Sequence, residues 1–359
     1  MKSIRRAIFR HPELLPPPSS LRDFMLRFGG EPSVSLKNLF IRTGPFDATT
    51  DAFQFGNSFP ITEENAEKVR ARFQNAIHNL AGNAAGRFRA SLDGMKLDLP
   101  EVPIGIPDFI TAPILEKVEV DLIGEIGVKI AGALPGNFGR CGGIAFAGYD
   151  FFLNDFPVDE RLGTSPPSTG VLSDYIFDRL LDSLELNVVR FLELIAELHV
   201  LPVLSKVATA ALLAAAGSIA GPIGAALGAL IGSQVDIFHF GGPASVLAVT
   251  RSELPLIKQV LMKQAATPIG YIFGNTASPT DQHQVLAIGY KDDSDGQATL
   301  TVWDNRERNV SRDLRLDLRG SELLVGNAFH DEALKCVFLE KYTPTEPPQS
   351  LHLPARIAQ

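Results

Sequence analysis

The sequence predicts an α+β protein in which a helical part precedes an antiparallel sheet. Hydrophobic residues after Thr62 recur at the three- and four-residue spacing of an amphipathic helix: Val69, Phe73, Ala76, Ile77 and Leu80. A longer stripe of the same spacing comprises Leu172, Ile176, Leu180, Leu184, Val188, Phe191 and Ile195. The C-terminal third instead contains two β-rich runs, 283–290 and 298–304, with a turn-forming Asp-Asp-Ser-Asp-Gly string between them. These runs predict a β-hairpin.

The N-terminal part predicts an arm, a helix and a linker. Residues 1–30 are basic and then proline-rich, without the apolar core of a conventional secretory signal. We therefore expect a flexible arm, and a protein that is cytoplasmic or exported without such a signal. Thr62 suits the N-cap of the first helix, and Glu63 and Glu64 suit its first turn. Residues 94–108 are rich in Pro and Gly, which makes them the best candidate for a domain boundary.

The elements after this boundary continue the mixed pattern. They are, in chain order, a helix over 110–134, a glycine-rich loop over 136–143, a helix over 144–153, the long helix already described, the hairpin, and strands over 314–318 and 335–341. The chain after Tyr342 is rich in proline and predicts a flexible tail.

Composition excludes several classes of function. The 359 residues are 45% hydrophobic and 21% charged, which is an ordinary globular composition. The net charge of −8 disfavours a nucleic acid partner, because phosphate binding needs a basic surface. The two cysteines, Cys141 and Cys336, are too few for a disulfide scaffold or a zinc cluster. Asp236 and His239 alone form too weak a pattern for a metal site, so no metal or other cofactor is predicted.

Cys141 is the candidate nucleophile. It follows a glycine-rich loop and precedes a helical pattern, and the N-terminus of a helix favours the thiolate form of a cysteine. The backbone N–H of Cys141 is then placed to stabilise an oxyanion, and Asn137 is the best side-chain candidate for a second donor. Gly142 has no side chain to crowd an incoming carbonyl. Cys336, by contrast, lies in an apolar run and predicts a core residue.

His283 is the candidate base, because it begins a predicted strand beside an exposed loop. The next strand of the hairpin ends in Trp-Asp-Asn, so its end lies beside the start of the histidine strand. Either Asp304 or Asn305 therefore falls near the imidazole, and Asp304 is the favoured partner that would hold its tautomer. Gln282 and Asn305 are further candidates for supporting the site.

The order Cys, His, Asp resembles that of the papain-like cysteine peptidase superfamily. The separation of Cys141 and His283 agrees with the roughly 130–150 residues between the corresponding papain residues. The strings Asn-Phe-Gly-Arg-Cys-Gly-Gly-Ile, His-Gln-Val-Leu-Ala-Ile-Gly-Tyr and Val-Trp-Asp-Asn resemble poorly characterised relatives of the bacteriocin-processing cysteine peptidases. The match covers about 137–153 and 281–305, and the Cys-Gly-Ser-Cys-Trp string of papain itself is missing.

This resemblance implies a papain-like fold, with a helical part that carries the cysteine and an antiparallel sheet that carries the histidine and the aspartate. It also implies a thiol protease, or a related hydrolase, that uses a catalytic triad on peptide or protein substrates. The domains expected are an arm (1–30), a mainly helical region (31–108), a catalytic domain (109–342) with an apolar helical insertion (203–235), and a tail (343–359).

Residues 207–235 contain no charged side chain and have a repeated Gly-x-x-x-Gly spacing, which helices in membranes use for close packing. A single membrane crossing would separate Cys141 from His283, and Gly221-Pro222 would break the helix into pieces too short to span. A buried helical hairpin is therefore favoured, with membrane contact or homo-oligomerisation as alternatives.

Two other functions remain open: a non-catalytic binding module on the same fold, and a membrane-associating or self-assembling protein that uses this glycine-rich apolar segment.

Overall fold

The computed structural model describes residues 44–60, 62–76, 97–99, 102–104, 137–158, 160–200, 242–326 and 334–352. Helices and an antiparallel sheet make up this part, which confirms the α+β class. The elements are β1 (Phe59–Pro60), α1 (63–76), β2 (Leu97–Leu99), β3 (Val102–Ile104), β4 (Asn137–Phe138), α2 (Cys141–Leu153), α3 (Val171–Ile195), α4 (Pro243–Gln264), β5 (Thr267–Phe273), β6 (His283–Ser294), β7 (Gln297–Trp303), β8 (Ser311–Asp317), β9 (Leu324–Gly326) and β10 (Leu334–Leu339).

The main sheet has six strands in the order β10-β5-β6-β7-β8-β9, and all neighbouring pairs are antiparallel. The predicted hairpin is β6–β7, and its turn contains Gly296 at φ +71°, where an L side chain would be strained. The strands predicted over 314–318 and 335–341 correspond to β8 and β10. The expected linker at 94–108 contains a small antiparallel hairpin, β2–β3.

The two predicted amphipathic helices bury their apolar stripes as far as the structure describes them; Ile77 and Leu80 of the first stripe lie outside the described residues. Thr62 caps α1, because its Oγ1 accepts the backbone N–H of Asn65 at 3.2 Å. Val69, Phe73 and Ala76 of α1 are buried. Every residue of the longer stripe is also buried in α3, which packs against α2 and β5. The periodicity of the sequence therefore identified the core-facing side of both helices.

Helix α2 lies at the centre of the described core, between α3 and β6. All of its residues after Cys141 are buried. Close approach to α3 depends on Gly143, because a Cβ there would clash with the carbonyl oxygen of Ile176 and lie 3.0 Å from the Cβ of Leu180. The helix that begins at the candidate nucleophile is thus held against rigid backbone.

We expect Gly143→Ala to destabilise the protein by about 1–3 kcal/mol, because a backbone carbonyl cannot move aside as a flexible side chain can. The measurement is the urea midpoint, with Gly44→Ala as the control, since a Cβ at Gly44 meets nothing within 4 Å. A Gly→Ala substitution at an exposed helix position would instead stabilise a protein by up to about 1 kcal/mol. A gain of that size would contradict the close packing of α2 on α3.

The segment 44–60 is part of the same core as α2, although it precedes the expected domain boundary. Phe53, Phe55 and Phe59 are fully buried, and the ring of Phe53 lies 5.2 Å from that of Phe151 in α2. The described residues all belong to one compact unit. The large aromatic side chains hold the segment 44–60 in this core, because each buries an extensive apolar surface.

Several predicted segments lie outside the described residues: the arm at 1–30, the helix over 110–134, and the apolar segment at 203–235. Part of the expected tail is described, and it contacts the core: Thr343 O accepts a hydrogen bond from Arg179, and Thr345 N–H donates one to Asp150. None of the described helices is long and apolar enough to cross a membrane.

Candidate active site

Cys141 is the first residue of α2, as the loop-to-helix pattern predicts. Strand β4 precedes it and pairs with β1, which fixes the entry of the chain into the helix. Arg140 anchors the intervening loop: its buried guanidinium lies over the rings of Phe59 and Phe177 and donates to the carbonyl oxygen of Ser173 at 2.8 Å. Cys141 as a whole is half-buried, so the nucleophile candidate sits at the edge of the core.

The hairpin β6–β7 brings His283 and Asp304 together. His283 begins β6, and Asp304 follows directly after β7. Nε2 of His283 lies 2.7 Å from Oδ1 of Asp304, and the two residues are only 4% and 3% exposed. The structure thus pairs the histidine with the favoured one of the two acceptors predicted from the hairpin.

The thiol of Cys141 and the imidazole of His283 interact electrostatically, and each shifts the pKa of the other. Since Nε2 faces Asp304, Nδ1 is the nitrogen left for the thiol. Burial favours the uncharged thiol, but His283 and the backbone N–H groups of Gln284 and Gly142 outweigh it and lower the pKa of Cys141. Burial also favours the neutral imidazole, yet Asp304 and Cys141 raise the pKa of His283 to about 9. Both shifts favour a thiolate–imidazolium pair.

Asp304 is held by a second cation as well as by His283. The backbone N–H of Arg306 donates to Asp304 Oδ1 at 3.0 Å, and its Nη2 lies 3.2 Å from Oδ2. Although burial acts in the opposite direction, His283 and Arg306 hold the pKa of Asp304 well below its usual value. The carboxylate therefore stays ionised and keeps the imidazole in one orientation.

Asn305 and Gln282 support the site through the backbone. Nδ2 of Asn305 donates to the carbonyl oxygens of Cys141 at 2.9 Å and of Gln284 at 3.0 Å, which ties the start of α2 to β6. Gln282 Oε1 accepts the N–H of Phe273, and its Nε2 donates to the carbonyl oxygen of Ser278 at 2.9 Å. The amide of Gln282 thus organises the loop before His283, and is engaged away from a reacting carbonyl.

Position 142 needs a glycine for a different reason from the one expected. A Cβ at Gly142 would clash with the side chains of Gln284 and Ser183, which lie on the inner side of the site. The glycine therefore makes room for packing within the protein. Asn137 pairs with Pro60 through the backbone, but its side chain lies outside the described atoms, so its role as an oxyanion donor stays a prediction.

A buried polar cluster behind Cys141 was not anticipated from the sequence. Nε2 of Gln284 donates to Ser183 Oγ at 2.8 Å and to Glu340 Oε1 at 2.7 Å. Burial raises the pKa of Glu340 to about 8 despite the hydrogen bond from Gln284. The carboxyl group is therefore largely neutral at pH 7 and adds little negative charge beside the thiolate. Glu340 directly follows the apolar strand β10, and this acidic residue was the one signal of the cluster in the sequence.

Cys336 is a core residue, as predicted. It is fully buried in β10, and burial raises the pKa of its thiol to about 12 despite a hydrogen bond with Thr250. The two cysteines therefore have opposite pKa shifts.

The described part of the chain contains no cluster of His, Cys, Asp and Glu that could hold a metal ion. No protein-family model, curated protein or solved structure matches this chain.

Proposed function

We propose that this protein is a papain-like cysteine hydrolase, a peptidase or a related acyl-transfer enzyme, that uses Cys141, His283 and Asp304 as a catalytic triad. The observation that carries the proposal is the 2.7 Å contact of the His283 imidazole with the Asp304 carboxylate, next to a thiol whose pKa that imidazole lowers. A helix supplies the thiol, and a hairpin distant in sequence supplies the other two groups. This division matches the papain-like fold that the sequence motifs imply.

In the first half of the reaction, His283 accepts the proton of the Cys141 thiol, and the thiolate attacks the carbonyl carbon of the substrate. A C–S bond forms, and the electron pair of the carbonyl π bond moves onto oxygen. The backbone N–H of Cys141 is placed to stabilise this oxyanion, because the first N–H groups of a helix have no acceptor within the helix. The intermediate then expels the leaving group, which takes its proton from the imidazolium.

In the second half, His283 accepts a proton from water, and the resulting hydroxide attacks the thioester carbon. Collapse of this second intermediate breaks the C–S bond, releases the acid and regenerates the thiolate–imidazolium pair. Asp304 stays ionised throughout and stabilises the imidazolium. We propose peptide or isopeptide bonds as the substrates, by analogy with the fold.

The test uses p-nitrophenyl acetate as an acyl donor that needs no specific recognition. We expect a burst of p-nitrophenol and a mass increase of one acetyl group on the peptide that contains Cys141. Cys141→Ala should abolish both, and His283→Ala should slow acetylation by at least about 10²-fold, the lower range for general acid–base catalysis. Cys336 is an internal control, because its buried thiol should remain unmodified.

The proposal fails if Cys141 is acetylated no faster than an ordinary cysteine in a denatured sample at the same pH. It also fails if His283→Ala has no effect on the rate. Either result would instead favour a binding module that has the geometry of a hydrolase without its activity.

A further inference from the structure

Asn57 is brought beside the loop that leads into the candidate nucleophile by the pairing of β1 with β4. Phe59 pairs with Phe138, and Pro60 pairs with Asn137, in antiparallel register. Continued by two residues, the same register places Asn57 opposite Arg140, the residue immediately before Cys141. The side chain follows this register, since Asn57 Oδ1 accepts the backbone N–H of Arg140.

The hydrogen bond to Arg140 fixes which way the amide of Asn57 points. A backbone N–H can only donate, so the atom that faces Arg140 is the oxygen, and the NH₂ group is the opposite atom of the amide. Among the described residues, no hydrogen bond engages Nδ2. Asn57 is half-buried. Two N–H donors beside the entrance to α2 therefore have no acceptor among the described residues.

Gly139 keeps the amide close to the loop. A Cβ at Gly139 would lie 2.9 Å from Asn57 Nδ2, which is closer than real Cβ contacts allow. The glycine thus permits the amide to lie directly against the chain that leads into Cys141. A side chain at residue 139 would push the end of the Asn57 amide away from this position, so Gly139, like Gly142, makes room for an amide side chain.

We propose that Nδ2 of Asn57 is the second donor of the oxyanion site and acts together with the backbone N–H of Cys141. This inference rests on the proposed hydrolase function. As the carbonyl oxygen of the substrate becomes negative, it accepts one hydrogen bond from the start of α2 and one from Asn57. An amide held in place by a backbone bond suits this role, because it does not have to reorient during the reaction.

The experiment compares two reactions of Cys141. Iodoacetamide reacts with the thiolate by substitution at a saturated carbon and forms no oxyanion, whereas p-nitrophenyl acetate reacts through one. We expect Asn57→Ala to lower the ratio of the acetylation rate to the alkylation rate by about 10²-fold, the lower range for removal of one oxyanion donor. The ratio cancels any change in the amount of thiolate, which a purely structural role of Asn57 would alter.

Two further variants make the result specific. Asn57→Asp retains an oxygen for the N–H of Arg140 but has no donor, so it should lower the ratio as Asn57→Ala does. Gln54→Ala is the matched control on the same segment, since its amide bonds Ala52 O and Asn309 away from the thiol. Thermal unfolding of each variant checks that the fold is retained.

An unchanged ratio in both Asn57 variants overturns the inference while leaving the triad intact. A fall in the ratio for Asn137→Ala instead would assign the donor to Asn137. If iodoacetamide finds no activated thiolate in the wild-type protein, the hydrolase proposal fails, and the role of Asn57 fails with it.

Discussion

Replacing His283 with alanine is expected to slow the alkylation of Cys141 by iodoacetamide at pH 6 by about ten- to a hundredfold. In the wild-type protein the imidazole lowers the pKa of the thiol, so more thiolate is present at this pH than in an ordinary cysteine. Without it, burial raises the pKa of the thiol to or above the ordinary value of about 8.5. The expected loss is smaller than the change in thiolate concentration, because a thiolate of low pKa is less nucleophilic.

The measurement is the alkylation rate of each cysteine between about pH 5 and 10, read from its peptide by mass spectrometry. In the wild-type protein, Cys141 should react at low pH with little dependence on pH, while Cys336 remains unreactive. In His283→Ala, the rate of Cys141 should rise with pH as it does for an ordinary buried thiol. Identical pH profiles for the two proteins would show that no ion pair forms.

The same pair makes stability depend on pH. The pKa of His283 in the folded protein is about 9, above its ordinary value of 6.5. Its stabilising contribution is therefore complete below about pH 6.5 and is lost as the pH rises through about 9. His283→Ala should remove this contribution to the free energy of unfolding, which opposes the stability that the lowered pKa of Cys141 adds as the pH rises toward about 9.

Replacing Asp150 with alanine is expected to destabilise the protein by about 3–5 kcal/mol, because it leaves the buried charge of Arg179 without its buried partner. Asp150 lies in α2, is fully buried and accepts a hydrogen bond from Arg179 Nε at 2.6 Å. Tyr175 OH, Tyr342 OH and Thr345 N–H donate to the same carboxylate. The substitution thus removes an acceptor from four donors on α3 and the C-terminal segment.

Asp182→Ala is the matched control for Asp150→Ala. Asp182 pairs with the same arginine, but its side chain is 50% exposed, so its removal should cost less than about 1 kcal/mol. Burial raises the pKa of Asp150 to about 6 despite Arg179 and the neighbouring donors. At pH 7.5, urea unfolding therefore starts from a wild-type protein and an Asp182→Ala variant in which Asp150 is largely ionised. Equal losses for the two variants would contradict a buried network that joins α2, α3 and the C-terminal segment.

The sequence predicted those features that depend on local pattern. The Thr62 cap, the buried stripe of α3 and the β6–β7 hairpin each follow from residues a few positions apart. The hairpin register in turn predicts that Asp304 lies beside His283. Cys141 could be placed at a helix start for the same reason, since glycines and the following apolar residues are its neighbours in sequence.

The features that escaped prediction depend on contacts between distant segments. The segment 44–60 packs in the core, and Asn57 lies against the loop before Cys141, through a pairing that no local pattern encodes. The sequence indicated that position 142 needs a residue without a side chain, but only the tertiary structure shows that Gln284 and Ser183 occupy the space beside it. Gln282 was assigned to the site, yet its amide hydrogen bonds are used within its own loop.

The sequence by itself therefore determined the α+β class, the helix and hairpin that carry the reactive groups, and the identity of Cys141, His283 and Asp304 as candidates. The tertiary structure decided that the thiol and the imidazole shift each other's pKa, which amides surround them, and how the Asp150 network holds α2. The physical reason is range: hydrophobic periodicity and capping act over a few residues, whereas pKa shifts and side-chain hydrogen bonds depend on burial and on neighbours that only folding brings together.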